Sequence, residues 1–384
     1  MAKIQKTITG RDSLNRTPEL LQKLNIQRPL IVGGSLLTGK LLRKVPALLS
    51  CPVFSAYHPN PDLADAEQGV EIYRKEGCDG LLSLGGGSAM DTAKAVKALM
   101  GAGSMEKLLR GELPEEMPVP HVAVPGTAGS GAEATPFAVV YVEGKKHSLS
   151  HPALLPDGVI LDASLLDSLP AYHKKSCALD ALSQGIESYW ARGATEDSRV
   201  NAYLAILGVL DNLKAYLAGD PHAAEQILEA AYQSGKAIAV SRTTAAHAMS
   251  YGLTKTLGIA HGHSCFLTLP LLWENMLPIR ETEDTLSSLS GLMRLGNPLL
   301  GPKLLKGILY SLDMEIPPVP DDETLNRLTA GVNPERLGNH PVPLTADQIR
   351  DIYRRSFLPP SAMEKQLCLD LWAYYGAEAG PEGR

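Results

Sequence analysis

Three short apolar runs, each closed by a turn and spaced by a helix or a loop, constrain the first half of this chain more than any other feature. RPLIVGG at 28 to 34, PVFSAY at 52 to 57 and DGLLSLGGG at 79 to 87 read as buried strands, and the charged, Ala-rich stretch 61 to 76 reads as a surface helix. Strand, helix, strand at this spacing requires parallel crossovers and therefore a doubly wound parallel sheet. Further strands are expected in PHVAVPGTAGSG at 120 to 131 and DGVILD at 157 to 162. From about residue 169 the character changes to long Ala/Leu-rich segments such as 197 to 217 and 222 to 240. The reading is an α/β N-terminal domain, 1–168, followed by an all-α C-terminal domain, 169–384, with the boundary near SLPAYHKK.

Composition narrows the function classes. The 384 residues are 44% hydrophobic and 20% charged, as in a soluble globular protein with a sizeable core. A net charge of −6 argues against a nucleic-acid surface, which needs concentrated Lys and Arg. No stretch approaches the roughly 20 apolar residues of a membrane span, and MAKIQKTITG lacks a signal-peptide core. Cys51, Cys78, Cys177, Cys265 and Cys368 are odd in number, scattered and free of CxxC spacing, which indicates neither a disulfide framework nor a thiolate metal site. A reducing cytoplasm is the expected setting. The terminal GAEAGPEGR reads as a mobile tail.

The chemistry concentrates in residues 241 to 270, where His247, His261 and His263 fall within seventeen positions. Imidazole is a common metal ligand, but two histidines need an anionic or oxygen partner to hold a divalent ion firmly. Upstream, Asp180, Gln184 and Glu187 fall at i, i+4 and i+7 on one face of an otherwise apolar helix. A buried Asp costs several kcal/mol unless it is paired or coordinates a cation. A single His or Asp in such a place is more often a hydrogen-bonded core residue than a ligand. Their coincidence with two Gly-rich stretches shifts the balance. GGGSAMDTAKAV at 85 to 96 follows a strand and opens a helix, so the amides of Gly86, Gly87 and Ser88 suit a pyrophosphate, although an ordinary strand-to-helix turn also uses glycine. PGTAGSGAEATPF at 125 to 137 is the second stretch.

Together these stretches, from about residue 28 to residue 357, resemble the iron-containing (group III) alcohol dehydrogenase family. The resemblance implies a Rossmann-like dinucleotide-binding domain and a helical metal-binding and substrate domain. It places the metal ligands at Asp180, Gln184, His247 and His261, with Gln184 where the family has His and Tyr251 where many members have a second His. It implies a divalent metal, Fe2+ or alternatively Zn2+ or Mn2+. In the same way it implies cofactor contacts at Gly34, Ser35, Gly86, Gly87, Ser88, Asp91, Thr127, Ser130, Thr135 and Lys146. Where NAD-preferring relatives carry an Asp after the first strand, this chain has Gly33, Gly34 and Ser35, so the cofactor is NADH or NADPH. TTAAHAMSYGLT and HGHSCFLTLP are most similar to the branch that includes hydroxyethylphosphonate dehydrogenases, also called phosphonoacetaldehyde reductases. The C-terminal GVNPERLGNHPVPL resembles the family's closing Asn-Pro-Arg segment. Family members are commonly dimers or larger, so a homo-oligomer is implied.

The expected reaction is metal-assisted reduction of an aldehyde by hydride from the nicotinamide, with a proton from water, the ribose, Tyr251 or His263. Arg242, Thr243 and Thr244, close to His247, suit a small anionic substrate. Arg242 has an equally weighted alternative, neutralising a helix end or pairing with Glu187. Phosphonoacetaldehyde leads and sulfoacetaldehyde is the close rival, with a general short-chain aldehyde reductase behind them. Two other classes are a metal-free lyase or synthase of the wider superfamily, and a nucleotide-binding protein whose metal site has decayed.

Overall fold

The computed structural model describes residues 4–59, 61–117 and 119–375, so the terminal GAEAGPEGR lies outside the described residues. The chain divides into two compact units, one comprising Met1–Leu169 with Gly219–Gly235, the other Pro170–Ala218 with Lys236–Arg384.

The first unit holds a six-stranded parallel sheet built from β1 (Lys6–Thr9), β2 (Pro29–Gly33), β3 (Val53–Phe54), β4 (Gly80–Gly85), β5 (His121–Pro125) and β8 (Gly158–Leu161). Their order is β1-β8-β5-β4-β2-β3, and β6 (Phe137–Val142) and β7 (Lys145–Ser150) form a separate antiparallel hairpin. Helices α1 (Thr17–Lys23), α2 (Ser35–Lys44), α3 (Leu63–Lys75), α4 (Gly87–Ala102) and α5 (Met105–Leu109) belong to this unit. Strands β2, β4, β5 and β8 are buried at every position, which explains their continuous apolar wording. Successive residues feed opposite faces: Leu30, Val32 and Leu81 join one core with Val70 and Val96, whereas Ile31, Leu82 and Leu84 join the other with Leu20 and Leu41. This is the doubly wound architecture expected. The strand order changes direction between β2 and β4, and open α/β sheets bind ligands at the carboxyl ends of strands beside such a switch.

The helices α6 (Ala171–Trp190), α7 (Glu196–Leu217), α8 (Pro221–Ser241), α9 (Ala245–Leu257) and α10 (His261–Met276) follow. After them come α11 (Glu283–Leu292), α12 (Gly301–Ser311), α13 (Asp322–Ala330), α14 (Pro334–Gly338), α15 (Ala346–Ser356) and α16 (Ala362–Tyr375). The expectation that 169–384 forms one domain needs a correction, because residues 219–235 fold with the sheet unit. The cause is a backbone contact: a Cβ on Gly235 would lie 2.3 Å from the Gly131 carbonyl oxygen, and Gly131 adopts φ +59°. Tyr232 on the same helix donates from its hydroxyl to Gln5 at 3.0 Å.

Within the first unit, Lys94 on α4 is fully buried and donates to the carbonyls of Ala132, Thr135 and Phe137 at 2.6, 2.8 and 2.7 Å. Burial pulls its pKa down to about 8, against the attraction of Asp91 and Glu133. Lys94→Met is expected to leave these carbonyls without their donor and to lower stability by about 3 kcal/mol, read from urea denaturation. An unchanged midpoint would show that the ammonium does not hold this loop.

Candidate metal and cofactor sites

The candidate metal centre is assembled from three helices of the second unit. Asp180 sits in the middle of α6, His247 in the first turn of α9, and His261 opens α10. The Asp180 Oδ1 atom lies 3.3 Å from His247 Nε2 and 3.9 Å from His261 Nε2. Cys265, one turn past His261, places its Sγ 3.9 Å from His261 Nε2. All four donor atoms lie within 4.8 Å of one another.

Two observations test whether this set fits a cation. Asp180 Oδ1 and His247 Nε2 are buried yet have no hydrogen-bond partner among the described residues, which is costly unless something else satisfies them. Carboxylate, imidazole and sulfur donors are also the types that bind divalent transition metals. The residues fit the group.

The electrostatics point the same way. Burial alone would raise the Asp180 pKa, but His261 and His247 outweigh it and hold the carboxyl below its ordinary value. Burial likewise raises the Cys265 thiol, and the two histidines bring it back down to about 7. Gln184, buried on the next turn of α6, hydrogen-bonds the Asp180 carboxylate.

Glu187 fixes His247 from behind. Its carboxylate accepts from the Thr244 and Ala246 amides at 3.1 and 2.8 Å, from the Thr244 hydroxyl, and from His247 Nδ1. It therefore caps the positive end of α9 and commits His247 Nε2 to the centre. Thr244, expected at the substrate, belongs to this cap, since its hydroxyl also accepts from Trp190 at 3.1 Å. Close approach of α6 and α10 depends on Gly262. A Cβ there would meet the Ser176 carbonyl oxygen at 2.0 Å and Asp180 Cβ at 2.7 Å.

On the other side of His261, Tyr251 stacks on its ring with centroids 5.6 Å apart, and the Arg336 guanidinium lies 5.3 Å from the Tyr251 centroid. Burial pushes the Tyr251 pKa up, so its phenol is protonated at neutral pH. Arg336 donates to the Thr243 hydroxyl at 2.8 Å, and Asn339 donates to the Ser241 and Thr243 carbonyls at 2.8 and 3.0 Å. These contacts brace a loop in which the exposed Arg242 takes a left-handed φ of +65°. Burial and then the neighbouring Arg336 lower the Arg242 pKa, with Glu335 opposing. Arg242 and Glu187 are thus not the pair that one reading of the sequence suggested: α9 satisfies Glu187. His263 does not join the donor cluster. It is fully buried, its Nδ1 lies 3.3 Å from the Tyr172 hydroxyl, and burial pushes it down to about 4.

The residues expected to contact the cofactor lie in the first unit. Gly34 and Ser35 begin α2 at the end of β2, and Gly86, Gly87 and Ser88 turn β4 into α4 without a side-chain cap on the helix amides. Adjacent β5 leads into Thr127 and Ser130, which face this turn: Cβ atoms on Gly86 and Gly87 would meet Thr127 at 3.4 Å and Ser130 at 3.6 Å. Gly85 adopts φ +152°, and Gly126 donates to its carbonyl at 2.7 Å. The turn thus leaves room for phosphate against backbone amides. Two expected contacts serve the scaffold instead. Thr135 is buried with its hydroxyl accepting from Lys94 at 3.1 Å, and Asp91 accepts from the Val139 amide of β6 at 3.1 Å. Lys146, on β7, is electrostatically coupled to Asp91.

Residues 5–163 match the family model of the iron-containing alcohol dehydrogenases, and residues 175–297 match the C-terminal model of the Fe-containing alcohol dehydrogenase family. The chain belongs to the iron-containing alcohol dehydrogenase family. A phosphonoacetaldehyde reductase of Streptomyces viridochromogenes is 38% identical over 222 residues, 54% of this chain and 56% of that protein. The match therefore spans little more than half of that relative's length. An NAD-dependent methanol dehydrogenase of Bacillus methanolicus is 29% identical over 275 residues, 69% of this chain and 72% of that protein. The crystal structure of sulfoacetaldehyde reductase from Bifidobacterium kashiwanohense in complex with NAD+ superposes with a TM-score of 0.84 at 25% identity, covering 94% of this chain and 98% of that one.

As a member of the iron-containing alcohol dehydrogenase family the chain is an oxidoreductase, and that family uses NAD(P)H and a divalent metal as cofactors. No described helix is long and apolar enough to cross a membrane. Sequence reasoning missed Cys265 and Arg336 as members of the site. The signal for Cys265 was its interval of four from His261, which puts both on one helix face. Arg336 had no local signal beyond its Asn-Pro context, because Thr243, which it bonds, is 93 residues away.

Proposed function

We propose that this enzyme reduces a small anionic aldehyde with NAD(P)H, with phosphonoacetaldehyde to 2-hydroxyethylphosphonate as the leading reaction. The observation that carries this reading is Arg336, whose guanidinium lies 5.3 Å from the centroid of the Tyr251 ring that stacks on His261 and which bonds Thr243, the residue next to Arg242. Arg336 together with Arg242 favours an anionic substrate end, and a phosphonate dianion matches two positive charges better than a sulfonate monoanion does.

Asp180, His247 and His261 hold the metal, which when bound supplies Lewis acidity to the aldehyde carbonyl. Glu187 keeps His247 in the tautomer that faces the centre, and Gln184 orients Asp180. Arg242, Arg336 and Thr243 bind the anionic end of the substrate. Tyr251, protonated at neutral pH, would hold the proton that the product oxygen requires, and the nicotinamide when bound would supply the hydride. With no carboxylate at Gly33, Gly34 and Ser35, the site accepts NADPH as well as NADH.

Steady-state reduction of phosphonoacetaldehyde, sulfoacetaldehyde and propionaldehyde tests the reading. The expected result is a kcat/KM preference of tenfold or more, about 1.4 kcal/mol, for phosphonoacetaldehyde over propionaldehyde. Arg336→Ala and Arg242→Ala should each lower kcat/KM for the phosphonate roughly 10- to 100-fold and leave propionaldehyde nearly unchanged. Equal turnover of propionaldehyde by the wild type would leave a general aldehyde reductase; a preference for the sulfonate would reassign the substrate.

A further inference from the structure

We infer that Cys265 is the fourth protein ligand of the metal, as a thiolate, and that Gln184 positions Asp180 without coordinating. The inference rests on the metal-centre reading above and concerns which atoms complete it.

Geometry brings Cys265 into the donor set, all four of whose ligand atoms lie within 4.8 Å of one another. A tetrahedral centre with metal–sulfur and metal–nitrogen bonds of about 2.3 and 2.0 Å sets its ligand atoms roughly 3.5 Å apart. The observed separations are 3.3 Å for Asp180 to His247, 3.9 Å for Asp180 to His261 and 3.9 Å for His261 to Cys265. Each is within a few tenths of an ångström of that spacing. Gln184, buried one turn along α6 from Asp180, is a neutral amide and suits the outer role of orienting the ligating carboxylate.

Two further features favour the thiolate. Cys265 is fully buried, and its Sγ lies 3.9 Å from His261 Nε2 with the Asp180 and His247 donor atoms within 4.8 Å. It also lies near the start of α10, where the helix dipole stabilises an anion. A carboxylate and a thiolate together balance a divalent cation, so the buried centre carries no net charge when both imidazoles are neutral. A soft sulfur donor moves the site's preference from iron toward zinc or cobalt.

The test is spectroscopic and independent of turnover. The full-length protein, stripped by chelator, is loaded with one equivalent of Co2+ and its absorption recorded. Wild type should show a thiolate-to-cobalt charge-transfer band in the near ultraviolet, alongside the d–d bands of a low-coordinate site. Cys265→Ser should lose the charge-transfer band while binding cobalt 10- to 100-fold more weakly. Gln184→Ala should keep the band, as should Cys177→Ala, which removes the other cysteine beside Asp180. Stoichiometric cobalt without the band, or a band that survives Cys265→Ser, would overturn the assignment. Failure of the wild type to bind cobalt at all would overturn the metal centre itself, and the ligand assignment with it.

Discussion

Asp180→Asn is expected to lower the bound-metal content to near zero and to reduce kcat/KM for every aldehyde by on the order of 10³-fold, at nearly unchanged fold stability. Asp180 is the one carboxylate in the donor cluster, and its Oδ1 faces both histidines without any other hydrogen-bond partner among the described residues. Asparagine preserves the shape and removes the charge, so the packing of α6 has little reason to change. What is lost is the anion that, with the two imidazoles, makes cation binding favourable in a buried place. Metal content by mass spectrometry, with melting temperature as the control for folding, reads the two effects apart. A variant with full metal occupancy and wild-type turnover would remove Asp180 from the centre.

The second large effect comes from a residue with no side chain. Gly262→Ala places a methyl group 2.0 Å from the Ser176 carbonyl oxygen and 2.8 Å from the Asp180 amide nitrogen, both of them backbone atoms that cannot swing aside. The helices α6 and α10 must then move apart, at a cost of about 1–3 kcal/mol in stability. The same movement separates Asp180 from His261, so metal affinity should fall by roughly 10- to 100-fold. Denaturant midpoints measured with and without metal separate the contributions, because the steric cost persists in the stripped protein and the affinity loss appears only on loading. Wild-type values for both would mean that the helices approach less closely than described.

How much of this was legible in the sequence follows from where the information lies. Strands β2, β4, β5 and β8 are buried on both faces, so each appears as an uninterrupted apolar run near glycine or proline. Strand β1, with one buried residue in KTIT, offers no such run. The hairpin β6–β7 was missed for a similar reason, its second strand reading KKHSLS with most positions not fully buried. Its turn did carry a signal, since Glu143 and Gly144 both adopt positive φ, as a two-residue hairpin turn demands. The early part of α8 was misplaced because an Ala-rich helix looks the same wherever it packs; the Gly131–Gly235 contact that decides the matter is tertiary. In the metal centre, Asp180, His247 and His261 were legible as a set, whereas Cys265 was passed over because cysteines were weighed against one another and not against the neighbouring histidine. Thr244 was read as a substrate contact from proximity alone. Its hydroxyl turns instead to Glu187.

Glu187 has a broader consequence. Its carboxylate is satisfied by the start of α9 and by His247, so the imidazole is aimed by hydrogen bonds within the chain itself. Metal loading therefore orders little that is not already ordered, and its free energy is not spent on folding the helix. Such a scaffold should act as a standing socket, with far-ultraviolet circular dichroism unchanged when a chelator strips the metal. Which ion occupies it is then governed by supply and by the softness of the donor atoms, not by the capacity of one metal to fold the protein.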